Sequence, residues 1–192
     1  MQTKLEKLIS QYREFGIDKQ IDYDKFYLYS LITHSTAIEG STITELENQI
    51  MFDQGISPKG MSMAELNMNL DLKNAYENAV KLANTHADIS IDLLKDFSAL
   101  VMKNTGQEYK TALGAFSSAR GELRLLNVTT GIGGKSYMNY SKVPAKLSEF
   151  CVWLNKEREN YTHKSTIQLY EISFDAHYYL ATIHPWADGN GR

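Results

Sequence analysis

Proline occupies only three of 192 positions, 58, 144 and 185, so most of this chain contains no residue that stops a helix outright. Between those points apolar residues recur three and four apart, the period of a helix with one buried face. The spacing predicts helices over roughly 3–15, 23–39, 62–85, 90–104, 143–158 and 165–182. Each proline lies outside these segments or at an edge, and Pro144 suits a first helical turn. Leu123 to Tyr140 departs from the pattern. There Leu125-Leu126-Asn127-Val128-Thr129-Thr130 is strand-like and glycines 131, 133 and 134 follow, which predicts a strand, a turn and a returning strand. Gly55 to Gly60, around Pro58, reads as an interhelix loop. An all-α fold with one small β-hairpin is therefore expected. No repeat or linker divides it, so residues 1–60 and 61–192 are read as two parts of one continuous unit.

Composition narrows function little. With 43% hydrophobic residues the chain can bury one substantial core. A net charge of −3 and a pI near 6.0 give no reason to expect nucleic-acid binding. The single cysteine, Cys151, excludes an intrachain disulfide and, within Phe150-Cys151-Val152-Trp153, reads as a buried apolar residue. Lys4, Glu6 and Lys7 stand where a signal peptide needs an apolar stretch. No run approaches the ~20 apolar residues that span a bilayer, so a cytoplasmic protein without a membrane partner is expected.

The last nine residues, His184-Pro185-Trp186-Ala187-Asp188-Gly189-Asn190-Gly191-Arg192, put a base, a carboxylate, a glycine-flanked turn and a cation within one loop. Gly189 and Gly191 can adopt backbone conformations that aim successive N–H groups at an anion. Asp188 supplies a hard oxygen ligand of the kind Mg²⁺ prefers, and Arg192 a planar fork for phosphate oxygens. His184 can take a proton near neutral pH. The competing reading is an ordinary surface turn. Against it stands the order of the string, which closely resembles the Fic-domain motif His-Pro-Phe-x-Asp/Glu-Gly-Asn-Gly-Arg-x-x-Arg, with Trp186 in place of Phe.

That resemblance, which extends over nearly the whole chain, implies a Fic-type helical bundle with a small hairpin flap. It implies transfer of AMP from Mg-ATP to a hydroxyl on a target protein, or on the chain itself, with a homodimer also admitted. His184 would be the general base, Asp188 the Mg²⁺ ligand, Gly189, Asn190 and Gly191 the phosphate cradle, and Arg192 the clamp that offsets charge as pyrophosphate leaves. The family's second Arg falls three residues past Arg192, beyond the last residue, so the chain is expected to lack that Arg and the helix carrying it. The alternative is a catalytically silent nucleotide-binding or protein-interaction module.

A second motif, Ser35-Thr36-Ala37-Ile38-Glu39-Gly40, ends the helix expected from Tyr23. Leu28, Leu31, Ile32, Ser35 and Glu39 fall on one stripe, so a carboxylate extends an apolar face and needs a cation or solvent. Gly40 suits a helix stop. Ser/Thr-x-x-x-Glu-Gly/Asn resembles the inhibitory helix of autoinhibited Fic proteins, the subclass with the segment N-terminal to the catalytic motif. By that resemblance Glu39 is inhibitory, excluding the productive placement of the ATP γ-phosphate, and Ser35 helps fix the helix. Glu39 is then expected to meet Arg192 or water. In some family members the same glutamate positions water to remove AMP.

The middle segment admits a rival. Thr129-Thr130-Gly131-Ile132-Gly133-Gly134-Lys135-Ser136 ends like a phosphate-binding P-loop, but that pattern needs Gly where Thr129 stands and a helix starting at Lys135-Ser136. Gly121-x-x-Arg124, then Val128-Thr129-Thr130-Gly131, a proline and Trp153-Leu154-Asn155, resembles the Fic flap and following helix. In that reading the flap holds a target segment, with Thr130 and Gly131 near the nucleotide. His177 with His184 and Asp188 lacks the spacing of a metal set and is read as a helix-face residue.

Overall fold

A computed structural model describes residues 3–131 and 133–192. Seven helices account for most of it: α1 Lys4–Glu14, α2 Tyr23–Ile38, α3 Glu45–Gln54, α4 Met63–Asn84, α5 Ile91–Val101, α6 Val143–Arg158 and α7 Thr166–Ile183. Four of them begin with a reciprocal capping box, Thr3 with Glu6, Thr44 with Glu47, Ser62 with Glu65 and Ser165 with Gln168. In each, the side chains pair with backbone N–H groups that the first turn leaves without helical partners. The cap hydrogen bonds hold the Glu65 carboxyl down at about 2, with Thr42 adding to those from Ser62.

α3 was not expected from apolar spacing. Its signals are at its ends: the Thr44–Glu47 box and Gly55, left-handed at φ 70°. α5 stops at Val101, short of the expected residue 104. There Asp71 of α4, 2% exposed, accepts from the Asn104 backbone N–H at 2.8 Å and its amide at 2.7 Å, which turns the chain away.

Among the described residues the one sheet is a two-stranded hairpin, β1 Glu108–Thr111 with β2 Gly114–Ser117, antiparallel in the register Glu108 to Ser117. This hairpin lies outside Leu123–Tyr140, the segment where a strand, a turn and a returning strand were expected. Leu125–Thr130 forms no ladder, and the segment closes through a single bridge between Thr129 and Ser136. The physical reason is Arg124, whose Nη1 donates to the Leu126 carbonyl at 2.8 Å and whose Nη2 donates to that of Met138. Those carbonyls are thereby withdrawn from cross-strand pairing. No helix begins at Lys135-Ser136, the next turn of helix being the short 3₁₀ segment Tyr140–Lys142, so the P-loop reading fails.

α6 packs on α7, α4 on α5, and α2 on both α3 and α4. Val143, Leu147, Phe150, Cys151 and Ile183 form the core cluster, with Leu94, Leu123 and Met138 against it. Cys151 is buried as expected, and burial pushes its thiol pKa up. The core thus ends at Ile183, one residue before His184. A second, polar knot holds the end of α2. Thr36 lies 3.0 Å from Asn69 Oδ1, to which the Asn48 amide also donates at 2.9 Å, and the Asn69 amide donates to Ser41 at 3.0 Å. Thr36, Asn48 and Asn69 are all fully buried, so the knot fixes where α2 stops relative to α3 and α4.

Candidate active site

α7 ends at His184, which takes a left-handed conformation (φ 50°, ψ 64°) and donates its N–H to the Leu180 carbonyl at 2.9 Å. A β-carbon makes that conformation costly, and the turn into Pro185 is what holds it. Arg124, 1% exposed, anchors the turn. Its Nε donates to the His184 carbonyl at 2.7 Å, Nη2 reaches that of Ile183 at 3.5 Å, and its backbone N–H donates to Pro185 at 3.1 Å. Every acceptor is a carbonyl. Burial pulls the Arg124 pKa down, though a guanidinium remains protonated.

The next residues are stitched to the core. Trp186 is buried and its indole N–H donates to the Gly121 carbonyl at 3.0 Å. Gly121 itself lies against α5, where a β-carbon would fall 1.9 Å from the Lys95 carbonyl oxygen. Asn190 closes the loop on itself, its amide donating to the Trp186 carbonyl at 2.9 Å and its oxygen accepting the Trp186 N–H at 3.2 Å. Its side chain therefore braces the loop. Gly189, at φ 77°, lies against fully buried Met102, whose Sδ would be 2.5 Å from an added β-carbon.

The charged pair of the motif meets across this turn. Asp188 accepts the Gly189 N–H at 2.7 Å and stands 3.8 Å from Arg192 Nη2, while Arg192 Nη1 donates to Thr105 at 3.0 Å. The Arg192 side chain is only 2% exposed and its Nε has no hydrogen-bond partner among the described residues. A buried donor of this kind is costly unless an acceptor arrives. Asp188, 37% exposed, keeps an oxygen edge toward solvent. Among the described residues no group of three His, Cys, Asp or Glu could hold a metal by itself, so a cation here would share its shell with another oxygen donor.

Glu39 reaches the same loop. It is the residue that ends α2, and its Oε1 would lie 3.2 Å from a β-carbon on Gly191. Arg192 is held by Thr105 and Asp188 rather than by Glu39. Ser35 lines a cleft of about 470 Å³ together with His177, Asn190, Gly191 and Arg192. The bonds that fix α2 come from its neighbour Thr36, which sequence reading had not singled out.

Of the glycine-rich segment, the structure brings Tyr137 to the histidine. The two rings stack with centroids 3.6 Å apart and planes 15° from parallel. Thr130 and Gly131 are exposed at the loop tip, where Thr130 N–H donates to the Lys135 carbonyl at 3.1 Å. Burial lowers the His184 pKa below its ordinary 6.5, and Arg124 adds to the effect while the Ala181 backbone opposes it. The imidazole is therefore neutral at pH 7 and able to accept a proton. A neutral base beside a buried cation and a glycine turn can bind an anion and take a proton from a nucleophile attacking it.

The Fic/DOC family model matches residues 88–192, more than half of the chain, and the chain belongs to that family. Protein adenylyltransferase fic-1 of Caenorhabditis elegans is 28% identical over 171 residues, covering 88% of this chain and 30% of its own length. Protein adenylyltransferase Fic of Drosophila melanogaster is 31% identical over 164 residues, covering 84% of this chain and 29% of its own. This chain therefore spans about a third or less of those relatives. A Fic domain containing signaling protein from Bacteroides thetaiotaomicron has the same fold, with a TM-score of 0.75 over 99% of this chain and 68% of its own at 18% identity. A fragment of Fic-1 from C. elegans gives 0.64 over 90% and 45% at 26% identity. Among the described residues no helix is long and apolar enough to cross a membrane.

Proposed function

We propose that this chain carries an autoinhibited adenylyl-transfer site that moves AMP from Mg-ATP to a hydroxyl of a protein. The observation that carries the reading is Arg192, a nearly fully buried guanidinium with an unpartnered Nε inside a glycine turn. Such a group calls for an anion, and phosphate oxygens fit its fork. The relatives named as protein adenylyltransferases support the choice of reaction.

In this reading a target hydroxyl oxygen bonds to the α-phosphorus of ATP as the bond to the β-phosphate oxygen breaks. His184 takes the hydroxyl proton, and pyrophosphate leaves. Arg192 and the backbone N–H groups of the turn offset the charge gathering on the phosphates. Asp188 would hold Mg²⁺, which when bound neutralises phosphate oxygens. Glu39 sets a carboxylate against Gly191, where it repels an anion seated on the turn; residues 1–60 then act as an inhibitory segment on the core at 61–192.

Calorimetric titration with Mg-ATP tests the anion site directly. Arg192→Ala should weaken binding by about tenfold or more, the scale of one charge-assisted hydrogen bond in a buried setting. Equal affinity for the parent and the variant would remove the basis of the reading.

A further inference from the structure

We propose that Tyr137 is a positioning residue for His184: its ring holds the imidazole in one plane and shields that face from water, leaving the edge to meet the incoming hydroxyl. This rests on the adenylyl-transfer reading above. The lone pair that accepts a proton lies in the plane of an imidazole, so a partner stacked on the face does not cover the edge, where the Ala181 backbone engages the ring and the other nitrogen is left for a proton. At 3.6 Å and 15° the Tyr137 ring is such a partner.

The platform is itself fixed. Tyr137 donates its N–H to the Val128 carbonyl at 3.0 Å across the loop. The carbonyl of the following residue, Met138, accepts from Arg124 Nη2, and the Nε of the same guanidinium holds the His184 carbonyl at 2.7 Å. One buried cation thus ties down the backbone on both sides of the stack. The ring interaction then sets the torsion of an imidazole that starts from a left-handed backbone. The groups bearing on the imidazole are the Arg124 cation, the Ala181 backbone of α7 and the Tyr137 ring. Asp188 and Arg192, further along the turn, face each other.

The test compares Tyr137→Phe, which keeps the flat face, with Tyr137→Ala, which removes it. Tyr137→Leu serves as a second stack-breaking variant should the alanine chain fail to fold. The first readout is the titration of His184 followed by NMR in nucleotide-free protein, which needs no catalysis. Loss of the stack should raise the midpoint toward 6.5, and phenylalanine should leave it at the parent value. The second readout is AMP transfer, compared in the Glu39→Gly background. The stack-breaking variant should lose about 10- to 100-fold in kcat with the KM for ATP within about twofold, as expected for misplacement of a reacting group. Its acid limb should move to higher pH, whereas phenylalanine behaves as the parent. An unmoved midpoint in the stack-breaking variant would overturn the proposal, as would equal losses for phenylalanine and alanine. A folded Glu39→Gly chain that transfers no AMP would refute the reaction assigned above, and the NMR titration would still decide the stack.

Discussion

His184→Ala, made in a chain relieved of inhibition by Glu39→Gly, should lower AMP transfer by at least about 100-fold, the lower bound of what a positioned general base contributes. Mg-ATP affinity should stay within about twofold, because the proposed reading gives the phosphates to Arg192 and the turn backbone rather than to His184. Binding measured by calorimetry and turnover measured with labelled ATP separate the two effects. The pH profile follows from the lowered pKa. Burial and Arg124 keep the imidazole neutral, so activity should hold through pH 6.5 and fall only as the pH drops through the lower folded value. Stability moves the same way. An unfolded chain takes up a proton near 6.5 and the folded chain does not, so lowering the pH from there toward the folded pKa costs stability, while above it the contribution is complete.

Arg124→Met should lower the stability of the fold by about 3 kcal/mol, because it leaves the carbonyls of His184, Leu126 and Met138 without their shared donor. Each orphaned buried carbonyl costs about 1–3 kcal/mol, and the sum is reduced because the variant no longer desolvates a cation. Urea unfolding should show a lower midpoint at unchanged slope. Lysine at this position should recover little, since a single ammonium on a flexible stem cannot span three carbonyls held by a planar fork. A parent-like midpoint for the methionine variant would mean that the guanidinium network contributes nothing net.

Legibility from sequence followed the range of the interactions. α1, α2, α4, α5, α6 and α7 were readable because helical period is a local property, and the motif from His184 to Arg192 because its residues are contiguous. α3 escaped because its apolar pattern is weak, although the Thr44–Glu47 box and Gly55 marked both ends. The hairpin at 108–117 was not foreseen, and the segment expected to form one turns back through only a single bridge between Thr129 and Ser136. Leu125–Thr130 has strand chemistry, but Arg124 takes the carbonyls that a ladder would need. The partners of the motif were hidden by distance along the chain. Thr105 lies 87 residues before Arg192, and Arg124 60 before His184. Glu39 was legible as a carboxylate on an apolar stripe; that it faces Gly191 rather than Arg192 emerged only from the packing of α2.

The central claim is that His184 and the turn after it form a transfer site restrained by Glu39. Its most direct test is the intact mass of the Glu39→Gly chain after incubation with Mg-ATP, beside the Glu39→Gly, His184→Ala double variant and the parent. The account predicts an AMP-sized increment on the single variant, less on the parent and none on the double variant. Unmodified mass in a folded Glu39→Gly chain that binds Mg-ATP, or an increment that persists without His184, would contradict it.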